Sequence, residues 1–147
     1  KESKILIDNY YENYPTLKEY ISKQIDFARE NGYVETLMGR RRYLTNINSQ
    51  NGMIRSADER NAVNAPIQGS AADIIKIAMK NIFNILNEKQ FKSKMILQVH
   101  DELVFDVHLS ELDKIKKVVK NSMENAVTLD IPLKVDIGTG KNWLEAH

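Results

Sequence analysis

Three groups of side chains in this sequence have types and spacings that could do chemistry. The first is His100-Asp101-Glu102, set between two apolar runs in "MILQVHDELVFDV", Met95 to Val107. Adjacent carboxylates repel one another, and a bound cation would remove that cost. Hard carboxylate oxygens would favour Mg²⁺ over zinc. On a strand, neighbours point to opposite faces, so Asp101 and Glu102 could not share one ion symmetrically, and a further carboxylate would have to come from elsewhere. From the local pattern alone a plain wet turn is the more economical reading, because short motifs match by chance. The second group is Arg60, Asn64 and Gln68 in "ERNAVNAPIQG". Spacing of i, i+4, i+8 lines three hydrogen-bonding side chains along one helix face. That face is either a solvated one or a reader of an extended polar object such as a duplex minor groove, whose acceptors Arg, Asn and Gln can all satisfy. The third is "GRRRY", Gly39 to Tyr43, whose guanidinium groups suit phosphate or simply pair with nearby acids at a solubilising turn. His108 and the terminal His147 are expected at the surface.

These groups need a scaffold, and the composition supplies one. The chain has 147 residues, 42% hydrophobic and 28% charged, which suits one globular domain or a large piece of one. A formal net charge of +1 makes no global demand for a polyanionic partner, so any such case rests on local clusters. The absence of cysteine excludes disulfides, thiolate catalysis and zinc–thiolate sites. No apolar stretch approaches membrane-spanning length, and "KESKILID" has no signal-peptide core. The chain does not begin with Met and its first residues, Lys1 to Asn9, already look helical, as in a segment cut from something longer.

Apolar residues from Ile5 to Phe27 recur at helical spacing, with Pro15 suited to the first turn of a second helix and Gly32 to its C-terminal cap. "YVETLMGRRRYL" alternates around Met38-Gly39 and predicts a small hairpin, followed by a loop from Thr45 to Gly52. Met53 to Leu86 is a long helical stretch in which Pro66 predicts a kink or break near Asn64 and Ala65. A central hairpin follows at about 95–107, its turn type open. "SELDKIKKVVKNSMENAV" predicts an amphipathic helix with a Ser-x-x-Asp cap, and "IPLKVDIG" a last strand. The fold class is α+β, with an antiparallel sheet built on the central hairpin and packed by helices.

Taken together and in order, "YVETLMGRRRYL", "ERNAVNAPIQGSAADIIK", "QVHDELVFDV" and "VDIGTGKNW" resemble the C-terminal segment of the bacterial DNA polymerase I family, the family A DNA polymerases, from Lys1 to His147. "QVHDELVFDV" resembles the family's motif C, whose hairpin belongs to the palm sheet. The resemblance implies that Asp101 binds the catalytic Mg²⁺ pair, that Glu102 supports it, and that His100 lies near the primer terminus. It implies minor-groove contacts from Arg60, Asn64 and Gln68, and a basic DNA-binding turn with Arg40 and Arg41. One departure is visible: relatives often read Tyr-apolar-Pro-acid where this chain has "YLTNI", so the loop from Thr45 lies outside the carry-over.

The resemblance further implies a partial domain of a larger polymerase, residues 1 to about 90 being mainly fingers and palm helices and about 91–147 the palm hairpin, helix and last strand. Its partners would be primer-template DNA, dNTP and the remainder of the polymerase chain, with no membrane, in the bacterial cytoplasm at the nucleoid. The implied reaction extends a primer 3′ end by two-metal phosphoryl transfer, the two Mg²⁺ ions about 4 Å apart in such sites. The second metal aspartate and the nucleotide-binding fingers helix match nothing in this chain, so the chain alone is expected to be inactive. Two rivals stand beside this reading. A non-catalytic nucleic-acid binding module would give Asp101 and Glu102 no reason to face a polyanion, and a metal-dependent nuclease would need more carboxylates than these motifs provide.

Overall fold

The computed structural model describes residues 2–146. In chain order the elements are α1 (Glu2–Asn13), α2 (Pro15–Asn31), β1 (Tyr33–Glu35), β2 (Arg41–Tyr43), α3 (Gly52–Glu88), β3 (Lys94–Val99), β4 (Glu102–Asp106), a 3₁₀ turn (Leu109–Glu111), α4 (Leu112–Glu124) and α5 (Trp143–Ala146). The architecture is α+β, with two antiparallel two-stranded sheets among the described residues. The chain divides into two units, Lys1–Ser70 and Ala71–His147, and α3 contributes to both.

In the first unit, Pro15 opens α2, where its missing N–H removes a donor that would have no intrahelical partner. Gly32 closes the helix at φ 75°, a left-handed conformation that glycine adopts without a Cβ penalty, and its N–H donates to the Ala28 carbonyl at 2.8 Å. The chain is thereby turned into β1, which pairs with β2 in the register Tyr33↔Tyr43, Val34↔Arg42 and Glu35↔Arg41. Ala28, Val34, Leu44, Ile47, Ala62 and Ala65 form the core of this unit, with Ile25 packed against it. The loop from Thr45 is tied down at two points. Ile47 enters the core, and the Asn46 N–H donates to the Asp58 carboxylate at 2.8 Å. Asn51 then caps α3, its Oδ1 accepting the Met53 N–H at 3.0 Å.

Of the kink or break expected at Pro66, the break does not occur: α3 runs without interruption from Gly52 to Glu88. Proline deletes one N–H from the helical ladder. Around it, Pro66 is buried, and its carbonyl accepts a second kind of donor, the Ser70 hydroxyl, at 2.5 Å. Thirty-seven helical residues with tertiary packing on both sides of the proline outweigh one lost bond.

In the second unit, β3 and β4 pair in the register Met95↔Phe105, Leu97↔Val104, Gln98↔Leu103 and Val99↔Glu102. Ile96 is an extra residue on β3, a bulge that interrupts alternation and leaves Ile96 and Leu97 both about half exposed, at 53% and 52%. Leu103, Phe105 and Val107 pack against Ile82 and Leu86 of α3 and Ile115 and Val119 of α4. Ile82 is fully buried, which by itself is worth about 1.5–3 kcal/mol.

Two expectations are corrected here. Ser110 does not cap α4: it lies in the 3₁₀ turn, and its hydroxyl meets His108 Nδ1 at 2.8 Å. Glu111 occupies the cap position and faces backwards instead, its carboxylate accepting the Lys92 and Ser93 N–H groups and the Ser93 hydroxyl at 2.6 Å. The second correction is the last strand. Ile131–Gly138 carries no strand, because an extended segment becomes one only against a partner edge, and its Val135 N–H donates to a side chain, Glu124 Oε1, at 3.1 Å.

Candidate functional site

Because α3 is continuous, Arg60, Asn64 and Gln68 all emerge exposed from one helix, flanked by buried Ala62, Ala65 and Pro66. The polar stripe expected from spacing is therefore a physical surface in the first unit. Arg60 reaches back one turn to the Ser56 hydroxyl at 3.1 Å. Asn64 and Gln68 make no side-chain hydrogen bond among the described residues, so both amides face solvent with their donors available.

Gln68 also lines a cleft of about 90 Å³ between α3 and the first hairpin, with Thr36, Arg40, Arg42 and Gly69. The turn on the hairpin side is held by several bonds. The Thr36 N–H donates to the Arg40 carbonyl at 3.0 Å, and the Arg40 N–H donates to the Thr36 hydroxyl at 3.1 Å. The turn is fastened to the helix as well: the Leu37 N–H donates to Ser70 Oγ at 2.9 Å, and Arg40 Nη2 donates to the Gly69 carbonyl at 3.1 Å. A Cβ at Gly69 would lie 2.5 Å from the Thr36 methyl, so this contact requires glycine.

The three arginines of the turn have different surroundings. Arg41, on the outer face, donates to Glu35 at 2.7 Å and lies 4.4 Å over the Tyr33 ring. The Glu35 hydrogen bond and the neighbouring Tyr33 raise its affinity for its proton. Arg40 is bound to the helix, and Arg42 faces the cleft. Sequence reasoning named Arg40 and Arg41 but could not sort the three. The distinguishing signal is the register, since Arg42 stands opposite buried Val34 and Arg41 opposite Glu35. Ser70 and Gly69 were not singled out either; what marks them is a hydroxyl four residues after a helical proline and a glycine just before it.

In the second unit, the hairpin tip is a two-residue turn, His100-Asp101, closed by the Val99↔Glu102 pair. Of these two, only His100 has a positive φ, 54°, the φ signature of a type II′ turn. Left-handed backbone at a residue with a Cβ costs about 1–2 kcal/mol. Asp101 is in the turn and not on a strand, so the alternation argument applies to Glu102 alone. His100 and Asp101 are exposed and Glu102, the first residue of β4, is half-buried. The Gln98 amide donates to the His100 carbonyl at 3.1 Å, while no hydrogen bond from the described residues reaches the Asp101 carboxylate. Among the described residues no group of three or more His, Cys, Asp or Glu is placed to hold a metal ion. His108 is exposed beside Ser110, and His147 lies outside the described residues. No helix among the described residues is long and apolar enough to cross a membrane.

The family profile described as DNA polymerase family A matches residues 1–145. The chain belongs to DNA polymerase family A. Among its family A relatives is DNA polymerase I of Lactococcus lactis subsp. lactis (strain IL1403), 52% identical over 99% of this chain and 17% of that protein. DNA polymerase I of Borreliella burgdorferi is 50% identical over 100% of this chain and 16% of that protein. The chain thus spans about one sixth of the length of these family A proteins. Among solved structures, the POL domain of Pol1 from M. smegmatis, in complex with DNA primer-template and dNTP, aligns with a TM-score of 0.96 and 43% identity. That alignment covers 99% of this chain and 26% of the other.

Proposed function

We propose that this chain is the C-terminal part of a DNA-directed DNA polymerase, contributing palm and fingers elements that bind primer-template DNA and extend the primer 3′ end with dNTP. Membership of family A over essentially the whole chain supports it, and the exposed carboxylate of Asp101 at a left-handed turn is the observation that carries the chemistry. Backbone strain kept at a hairpin tip is characteristic of sites where geometry matters to function.

The donor set fits Mg²⁺ in part. Asp101, with Glu102 beside it, offers hard oxygen ligands of the kind Mg²⁺ takes, and the described residues supply no further ligand to complete a site. Asp101 would therefore be one carboxylate leg, the second metal aspartate lying elsewhere in the polymerase. When bound, the Mg²⁺ pair would acidify the primer 3′ hydroxyl and neutralise charge on the departing pyrophosphate. Asp101 holds its carboxylate out in solvent on a short, defined turn, and Glu102 backs it from the first position of β4. His100, exposed beside them in the turn, would lie near the primer terminus.

The remaining work is positional. Arg60, Asn64 and Gln68 donate from one rigid helix face to the purine N3 and pyrimidine O2 acceptors, which occupy similar places in every correct pair. They therefore test pair geometry without reading sequence. A mismatch moves an acceptor away and leaves a donor unpaired, at about 1–3 kcal/mol each. The basic turn Arg40–Arg42 adds positive charge beside Gln68.

The deciding experiment is primer extension, with degradation of the same DNA followed in parallel, by the polymerase carrying this sequence. Mg²⁺-dependent incorporation that is lost in Asp101→Asn is the expected result. Net degradation in place of extension would establish the nuclease reading. The purified 147-residue chain alone should not extend a primer above the level of its Asp101→Ala variant.

A further inference from the structure

Arg42 differs from its two neighbours in that its side chain makes no hydrogen bond, ion pair or ring contact among the described residues. Directly opposite Val34 in the ladder, it projects on the face turned toward α3. There it shares the cleft with Gln68, whose amide is equally without a partner. The one acid lining that cleft, Glu35, is engaged by Arg41. The cleft therefore presents an uncommitted guanidinium next to an uncommitted amide, with its negative charge already neutralised.

We propose that Arg42 contacts a backbone phosphate of the duplex at the point where Gln68 meets the minor-groove edge, and that Arg41 does not. The inference rests on the reading of Gln68 as a groove-facing residue. A minor groove is about 6 Å wide and walled by phosphates, so a cation held beside a side chain that reaches the groove floor meets the wall. Guanidinium geometry matches phosphate oxygens, and a contact of this kind positions the duplex without reading bases. Arg41, stacked on Tyr33 and paired with Glu35, would have to give up both interactions to do the same.

The test is the salt dependence of primer-template binding by the polymerase carrying this sequence, without dNTP. Arg42→Gln should lower the slope of log K against log salt by about 0.9 and weaken binding by a similar factor on every DNA sequence. Arg42→Lys should keep the slope, because the charge remains. Arg41→Gln should change it less than Arg42→Gln does, and Lys23→Gln on α2 should leave it unaltered. An unchanged slope in Arg42→Gln, or an equal fall in Arg41→Gln, overturns the proposal. So does a raised KM for dNTP at unchanged slope, which would place the phosphate on the nucleotide. Incorporation by Asp101→Asn, measured alongside, reports separately on the polymerase reading: its persistence would overturn that reading and leave the slopes to decide on Arg42.

Discussion

The two hairpins are alike in pairing and in carrying charged turns, and they differ in what holds those turns. The Thr36–Arg40 turn is tied to itself through the Thr36 hydroxyl and to α3 through Ser70 Oγ and the Gly69 carbonyl. The His100-Asp101 turn has a left-handed residue, a single side-chain bond to the His100 carbonyl and a carboxylate standing in solvent. The first turn is braced to keep a surface in place. The second is braced from below, by the β4 side chains in the core, and leaves its tip open to a ligand. Under the proposed function Asp101 would meet a metal ion and a polyanion, and such a carboxylate cannot already be saturated by protein donors. A group that only has to hold Gln68 in its place can be.

The sharpest way to break this comparison is at the open tip. Asp101→Asn should reduce incorporation by about 10²–10³-fold or more, the scale on which losing one group that stabilises transition-state charge acts. Glu102→Gln should cost far less, and DNA affinity should stay nearly constant in both. Equal losses in single-turnover extension would remove the distinction between turn and strand positions.

Gln68→Ala comes next. It deletes a neutral hydrogen bond worth about 0.5–1.5 kcal/mol net, so binding should weaken only several-fold. Extension should fall further, up to about 10²-fold, if that bond also aligns the 3′ hydroxyl to within about 1 Å. A 3-deaza purine at the primer terminus should slow the unsubstituted enzyme and add little to Gln68→Ala. Simple addition of the two losses would show that the amide does not read that atom.

The braced turn is tested by stability. Gly69→Ala drives a Cβ to 2.5 Å from the Thr36 methyl and should destabilise the first unit by about 1–3 kcal/mol. Ser70→Ala should cost about 1–3 kcal/mol by leaving the Leu37 N–H without its acceptor. Hydrogen exchange at Leu37 reads both directly, and unchanged protection would mean the turn stands without the helix.

The smallest effect concerns the base of the second hairpin. The Ser93 hydroxyl, then the Lys92 and Ser93 amides, hold the Glu111 carboxyl below its ordinary range. With the folded pKa depressed, the unfolded chain binds its proton first as pH falls. The stabilisation is thus complete above the unfolded carboxylate range and lost as pH drops through the folded pKa. Glu111→Gln should lower protection of the Lys92 and Ser93 amides at neutral pH, and the gap from the unsubstituted protein should narrow in acid. A gap that stays constant with pH would show that charge plays no part.

Much of this was legible in the chain. Pro15 and Gly32 mark the limits of α2, alternation marks both hairpins, and the spacing of Arg60, Asn64 and Gln68 marks a helix face, because local sterics and periodicity set each of them. What depends on neighbours was not legible. Pro66 predicts a kink or break from its own chemistry, yet α3 runs unbroken past it, with Pro66 buried in the fold. Ile131–Gly138 has a strand's composition but pairs with no strand among the described residues. Ser110 has a cap's spacing, yet Glu111 takes the position and turns to Ser93, eighteen residues earlier. Three consecutive arginines are equivalent as letters. Register sends Arg41 to Glu35 and Tyr33 and leaves Arg42 facing the cleft, because strand neighbours point to opposite faces and only the pairing decides which face meets the helix.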